Sequence, residues 1–187
     1  MNQAPVSCIP ATTKMSKAKK ILDEAREIQN PELDLADKNV STFEEMPGLQ
    51  TLRALYLADN DFEYLPPEIG QLKNLQILVL RENDLIELPK EIGELTRLRE
   101  LHIQGNRLTV LPPEIGNLDL VSNKAVFRME FNPWVTPIGD QLQVGISHVM
   151  DYIRSETYKY VYNRHQSVKG PPPAIENDKT KKISRMR

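Results

Sequence analysis

The sequence predicts an α/β solenoid: stacked turns of chain, each giving one short strand to a parallel concave sheet, with helices covering both ends. Three observations predict it. Asn60, Asn83 and Asn106 stand 23 residues apart, and each closes the phrase L-x-x-L-x-L-x-x-N, with Ile103 for the last leucine of the third. Each phrase is followed at a fixed offset by L-P-x-x-I-G-x-L, starting at Leu65, Leu88 and Leu111. Within each phrase the apolar period drops to two, as in Leu55 and Leu57, which is strand alternation.

Three copies in register make a leucine-rich repeat, the signature of a quasi-one-dimensional coil. Leu52, Leu55, Leu57, Phe62, Leu65, Ile69 and Leu72 point into one turn, and the next two turns repeat the set. Burying one such side chain is worth roughly 1.5–3 kcal/mol. No turn buries its own set, so stability is a sum over neighbours. Asn60, Asn83, Asn106 and, 26 residues further on, Asn132 have a polar task inside this core. Their amides offer donors and an acceptor to backbone groups left without a ladder partner where the chain turns. Pro66, Pro89 and Pro112 suit the extended outer path. Gly70, Gly93 and Gly116 are expected to allow the tight return.

The remaining elements follow in order. Residues 1–15 read as a disordered leader. Residues 16–31 read as a capping helix, with Ser16 as N-cap, apolar Ala18, Ile21, Leu22, Ala25 and Ile28 at helical spacing, and Asn30–Pro31 as the stop. Residues 32–165 are the repeat domain with its C-terminal cap. Leu33, Leu35, Val40, Phe43, Met46 and Leu49 form an edge turn with Lys38 in the asparagine's place. Phe127, Met129 and Asn132 mark the last strand, and Trp134 plugs the turn after it. Leu142, Ile146, Val149, Ile153 and Thr157 predict one helix from about Asp140 to Asn163, whose tyrosines are packing residues. Residues 166–187 read as a disordered basic tail.

Composition narrows the function. The chain has 187 residues, 27% of them charged, and a net charge of −2. Residues 166–187 carry a net +4, leaving −6 elsewhere. That tail is read as a solvated terminus, so no nucleic acid is expected. The single cysteine, Cys8, excludes an internal disulfide and fits a reducing compartment. No apolar run reaches the roughly 18 residues of a membrane span. Phosphate-binding and nucleophile motifs are absent, and His102, His148 and His165 share no metal-ligand spacing. The chain therefore reads as a non-enzymatic monomer with no catalytic residue, cofactor or metal.

Binding falls to the strand residues that point away from the core. Their central column is Asp34, Tyr56, Val79, His102 and Arg128. Beside it run Ala36, Ala58, Arg81, Gln104 and Glu130, then Asp37, Asp59, Glu82, Gly105 and Phe131. On the other flank stand Glu32, Ala54, Ile77, Glu100 and Val126. Tyr56, Arg81, His102 and Arg128 are the expected partner contacts, with Val79 and Ile77 as a dry centre and Asp59 and Glu82 as polar rim.

The phrase L-P-x-E-I-G-x-L resembles the Ras-group of intracellular leucine-rich repeat proteins. The stretches SKAKKILDEAREIQNPELDLADKNVS at 16–41, TLRALYLADNDFEYLPPEIG at 51–70 and SHVMDYIRSETYKYVYNRH at 147–165 carry a finer resemblance within it. It implies a cytoplasmic adaptor at cell–matrix adhesions that binds a LIM domain of a PINCH-type adaptor. Through it the protein would join integrin-linked kinase and parvin and restrain Ras-dependent signalling. Members of this kind carry several more turns between the edge turn and Leu52, so the chain resembles a form shortened by whole turns. The alternatives are a truncated variant without partner affinity and a scaffold for a Ras-pathway kinase or phosphatase.

Overall fold

The computed structural model describes residues 20–168, apart from 22, 26, 28 and 41–48. The leader, Ser16, Ala18, Leu22, Ile28, Phe43, Met46 and all of the tail beyond 168 lie outside the described residues. Five strands form one parallel sheet in sequence order: β1 (Glu32–Asp34), β2 (Ala54–Tyr56), β3 (Ile77–Val79), β4 (Glu100–His102) and β5 (Val126–Arg128). Leu33, Leu55, Leu78, Leu101 and Phe127 are register partners across all five. Each is buried, because each sits on the inward side of a two-residue period.

Opposite the strands the coil returns through three 3-10 turns, Pro67–Gln71, Lys90–Glu94 and Pro113–Asn117. Pro66, Pro89 and Pro112 precede them with φ of −70°, −67° and −63°, the angle that the pyrrolidine ring imposes. The inward-pointing leucines and isoleucines of the three repeats, with Phe62, are all buried in one continuous core. The glycines of these turns have a different reason from the expected one. Gly70 has no left-handed φ; a Cβ there would stand 2.8 Å from the carbonyl oxygen of Glu91. Gly70 and Gly93 are kept bare by the neighbouring turn, not by the bend, and Gly116 faces Arg154 of the cap.

The asparagines do the work expected of them. Asn83 Nδ2 donates to Leu57 O at 2.9 Å in the preceding turn and to Leu80 O at 3.1 Å in its own. Its Oδ1 accepts from Phe62 N at 3.1 Å. Asn106 repeats the set on Leu80, Ile103 and Leu85. Asn132 repeats it on Ile103, Met129 and Leu108. Asn60 reaches Leu35 O at 2.8 Å and accepts from Lys38 N and Val40 N. Each amide thus ties its turn to the one before. Lys38 has no turn before it among the described residues; its Nζ donates to Ala36 O at 2.8 Å, as an asparagine does two residues back.

Beyond β5 the single expected helix is three: α1 (Thr136–Val144), α2 (Ile146–Arg154) and α3 (Glu156–Val168). Gly145 takes φ 149°, which an L side chain rarely adopts, and ends α1. Ser155 ends α2 and starts α3: its Oγ donates to Tyr152 O at 2.6 Å and accepts from Tyr158 N at 3.1 Å. α2 and α3 pack on the third 3-10 turn. Arg154 fixes them there, donating to Gly116 O at 2.9 Å and Leu118 O at 3.3 Å. Thr157, expected on the buried face, is exposed, and Tyr158 is buried in its place. Trp134 is half-buried against the core and donates from Nε1 to Met129 O at 2.8 Å, closing the last turn.

Candidate functional site

The strand register builds the concave face from short-range rules alone. Asp34, Tyr56, Val79, His102 and Arg128 are consecutive register partners, one per strand. Glu32, Ala54, Ile77, Glu100 and Val126 form the parallel column two residues earlier. Neighbouring strands lie about 4.8 Å apart, so these side chains form a continuous surface.

Its centre is apolar. Ala54 and Ala58 are buried, and Tyr56, Ile77 and Val79 are half-buried with one side turned from the core. Small alanines beside Tyr56 leave the ring a shallow floor. Each basic side chain of the central and following columns has a carboxylate neighbour. Arg81 Nη2 lies 3.0 Å from Asp59 Oδ2, His102 Nε2 3.7 Å from Glu100 Oε2, and Arg128 Nη1 3.8 Å from Glu130 Oε1. In water such half-exposed pairs contribute little to stability.

The next column has a backbone property that its residue types conceal. Asp37, Asp59, Glu82, Gly105 and Phe131 all have positive φ, at 53°, 56°, 51°, 70° and 57°. This is where each strand bends toward its asparagine, and only Gly105 meets it without steric cost. The Glu82 carboxylate lies over Gly105, where a Cβ would fall 2.3 Å from Oε1. At the end of the column Phe131 is 80% exposed. Gln104 Oε1, in the Arg81 column, is buried with no hydrogen-bond partner. Phe131 and Gln104 were not expected as site residues; exposure and an unpaired oxygen leave no trace in residue spacing.

The other groups that could carry chemistry are dispersed. His165 Nε2 stands 3.1 Å from Thr109 Oγ1, on the side of the coil away from His102. Among the described residues no cluster of three or more His, Cys, Asp or Glu could hold a metal ion. No helix of theirs is long and apolar enough to cross a membrane. A cavity of ≈ 390 Å³ lies beside β5, lined by Leu120, Val121, Phe127 and Ile146 among others. It is off the central columns apart from Arg128 and Val126 at its rim.

Two groups of tyrosines contrast with the concave face. Tyr158 is fully buried: its hydroxyl accepts from Leu111 N at 2.9 Å and donates to Leu111 O. Burial pushes the hydroxyl pKa well above the ordinary tyrosine value, and the bond to Leu111 only partly offsets this. Tyr152 meets it edge-on at 5.2 Å between ring centres, and Tyr162 lies on its other side at 6.3 Å. The three rings pack together; of the tyrosines expected to pack, Tyr158 and Tyr162 do so, and Tyr160, 69% exposed, does not.

Comparison with known proteins agrees with this architecture. The profile of the leucine-rich repeat region matches residues 32–129. The chain is 73% identical over 144 residues to Ras suppressor protein 1 of Homo sapiens, covering 75% of this chain and 52% of that protein. It is 71% identical over 144 residues to Ras suppressor protein 1 of Bos taurus, with the same coverage. The chain thus spans about half the length of the curated relatives that it matches. Among solved structures, a leucine-rich repeat protein of Leptospira interrogans is 30% identical, with a TM-score of 0.44 over 72% of this chain and 37% of that one. With strands, asparagine ladder and profile all in one register, the chain belongs to the leucine-rich repeat family.

Proposed function

We propose that this chain is an adaptor that holds a protein partner on its concave strands. By its likeness to Ras suppressor protein 1, the partner is a LIM domain of a PINCH-type adaptor. That link would join it to integrin-linked kinase and parvin at cell–matrix adhesions in the cytoplasm, where it restrains Ras-dependent signalling. One observation carries the reading. Tyr56, Ile77 and Val79 sit half-buried at the centre of a rigid sheet with no core of their own to fill. Rigid strands present them with little ordering cost on binding. Tyrosine and arginine are the residue types that most often dominate interfaces.

The test is capture of the chain by an immobilised PINCH LIM domain. Tyr56→Ala combined with Arg81→Ala is expected to weaken capture at least tenfold while leaving the melting temperature within a few degrees. Both side chains are partly exposed, and the Arg81–Asp59 pair is solvated. Unchanged capture by the double variant would remove this face from the reading. A second reading draws on the match covering about half of the relatives' length: we propose, as the alternative, that the concave surface has too few turns for the partner. The chain then folds but does not hold the partner, and the unsubstituted chain fails in the same capture experiment.

A further inference from the structure

The concave face is unbalanced in a way that specifies its partner. Its two arginines are already committed, Arg81 to Asp59 and Arg128 to Glu130, and the His102 ring lies beside Glu100. Its carboxylates are not. Glu32, Asp34 and Asp37, on and just after β1, have no cation within 4.0 Å among the described residues. Lys38 stands next to Asp37 in sequence, but its ammonium is turned to Ala36 O. Asp34 Oδ1 accepts only the amide of Ala36, at 2.9 Å. Among the described residues of these four columns negative charge is therefore in surplus, and neither arginine is left unpaired to meet an acidic partner.

This acidic row adjoins the apolar centre. Asp34 is the register partner of Tyr56, and Glu32 that of Ala54. One strand further on lie Val79 and Ile77. At about 4.8 Å per strand, Glu32 and Asp34 are roughly 5–10 Å from the apolar centre, and Asp37 extends the acidic row beyond Ala58. That is the spacing of residues i and i+2 on an extended segment, or of i and i+4 on a helix.

We infer that the concave face takes a basic amphipathic element of a partner protein, with a lysine or arginine seated on Glu32, Asp34 and Asp37 and a neighbouring apolar side chain on Tyr56, Ile77 and Val79. The inference rests on the concave-face reading above and adds the partner's chemistry to it. An acidic element would meet like charge across a partly desolvated surface, which costs binding energy.

The experiment uses two synthetic peptides of equal length and identical apolar residues, one carrying lysines and one glutamates at the intervening positions. Binding to the full chain is read by fluorescence anisotropy over a range of salt concentrations. The lysine peptide is expected to bind with an affinity that falls as salt rises, and the glutamate peptide not to bind. Glu32→Gln, Asp34→Asn and Asp37→Asn together should lower lysine-peptide affinity about tenfold and flatten the salt dependence. The variant keeps the fold: asparagine retains the acceptor for Ala36 N, and at Asp37 it tolerates the positive φ. Equal binding of both peptides, both weakened by Tyr56→Ala with Arg81→Ala, would overturn the partner chemistry and leave the concave reading standing. Lysine-peptide binding that neither set of substitutions moves would overturn both. No binding of either peptide at millimolar concentration would overturn the inference alone, provided that the LIM-domain capture succeeds.

Discussion

A Cβ built on Gly93 would stand 2.4 Å from the carbonyl oxygen and 2.6 Å from the Cβ of Glu114 in the next turn. The same atom on Gly116 would first meet Arg154 Cγ at 3.0 Å, partway along a flexible side chain. The two glycines occupy one repeat position but have different neighbours: Gly93 faces another turn, and Gly116 faces the cap. Gly93→Ala should therefore force successive turns apart and cost about 1–3 kcal/mol. Gly116→Ala should stay within about 1 kcal/mol of the parent, since Arg154 can give way and alanine restricts the unfolded chain. Urea midpoints of the two variants check this; equal midpoints would mean that stacking does not set the constraint. The asparagines were legible in the sequence because a buried amide at a fixed place in each turn can only be satisfying backbone. The reason for the glycines was not, because the group that excludes their Cβ belongs to a turn 21 residues later.

At the scale of the element, the C-terminal cap shows why helical spacing alone can mislead. Leu142, Ile146, Val149 and Ile153 keep a 3.6-residue rhythm across the break at Gly145, because the first two short helices present one face to the same core. Only Gly145 and the capping Ser155 mark the interruptions. After Ser155 the phase shifts by one residue, and Tyr158 replaces Thr157 in the interior. That shift gives the cap a pH dependence. Burial raises the pKa of both Tyr158 and Tyr162. Above the ordinary tyrosine value of about 10, the unfolded chain releases these protons while the folded chain keeps them. Unfolding then releases protons, so stability is fully present below pH ~10 and falls as pH rises, by about 1.4 kcal/mol per unit for the fully buried Tyr158 and by less for the half-exposed, solvent-screened Tyr162. Tyr158→Phe should flatten this alkaline limb. It should also lower stability near pH 7 by about 1–3 kcal/mol, since Leu111 N–H and C=O lose their buried partner. Denaturant midpoints between pH 7 and 11 measure both effects, and a variant with the parent's alkaline slope would clear Tyr158 of the role.

At the scale of the whole molecule, each turn depends on its two neighbours, so the ends decide how the coil opens. The concave columns could be read from the sequence because the period of the repeat also fixes the register of the sheet. The balance of the two ends could not, since it depends on which side chains the caps insert. At the β5 end, Ile138, Val149, Met150, Ile153 and Tyr158 are all buried, and Arg154 and Tyr158 add hydrogen bonds to the last turn. At the β1 end the helical residues between 20 and 27 contribute buried Ala25 and half-buried Ile21 among their described side chains. β1 is also where the uncompensated carboxylates gather, and their mutual repulsion is relieved when that turn leaves the sheet. Opening should therefore begin at β1 and spread toward β3, with the β5 end held until global unfolding. Native-state hydrogen exchange resolves this directly. Amides of residues 33–38 should exchange at least tenfold faster than those of 126–130, and those of Leu78, Leu80, Leu101 and Ile103 should be slowest. The Glu32→Gln, Asp34→Asn and Asp37→Asn variant should slow exchange at β1 without changing it at β5. Equal rates at the two ends, or faster exchange at β5, would mean that the caps are equivalent and that the acidic row does not loosen the edge turn.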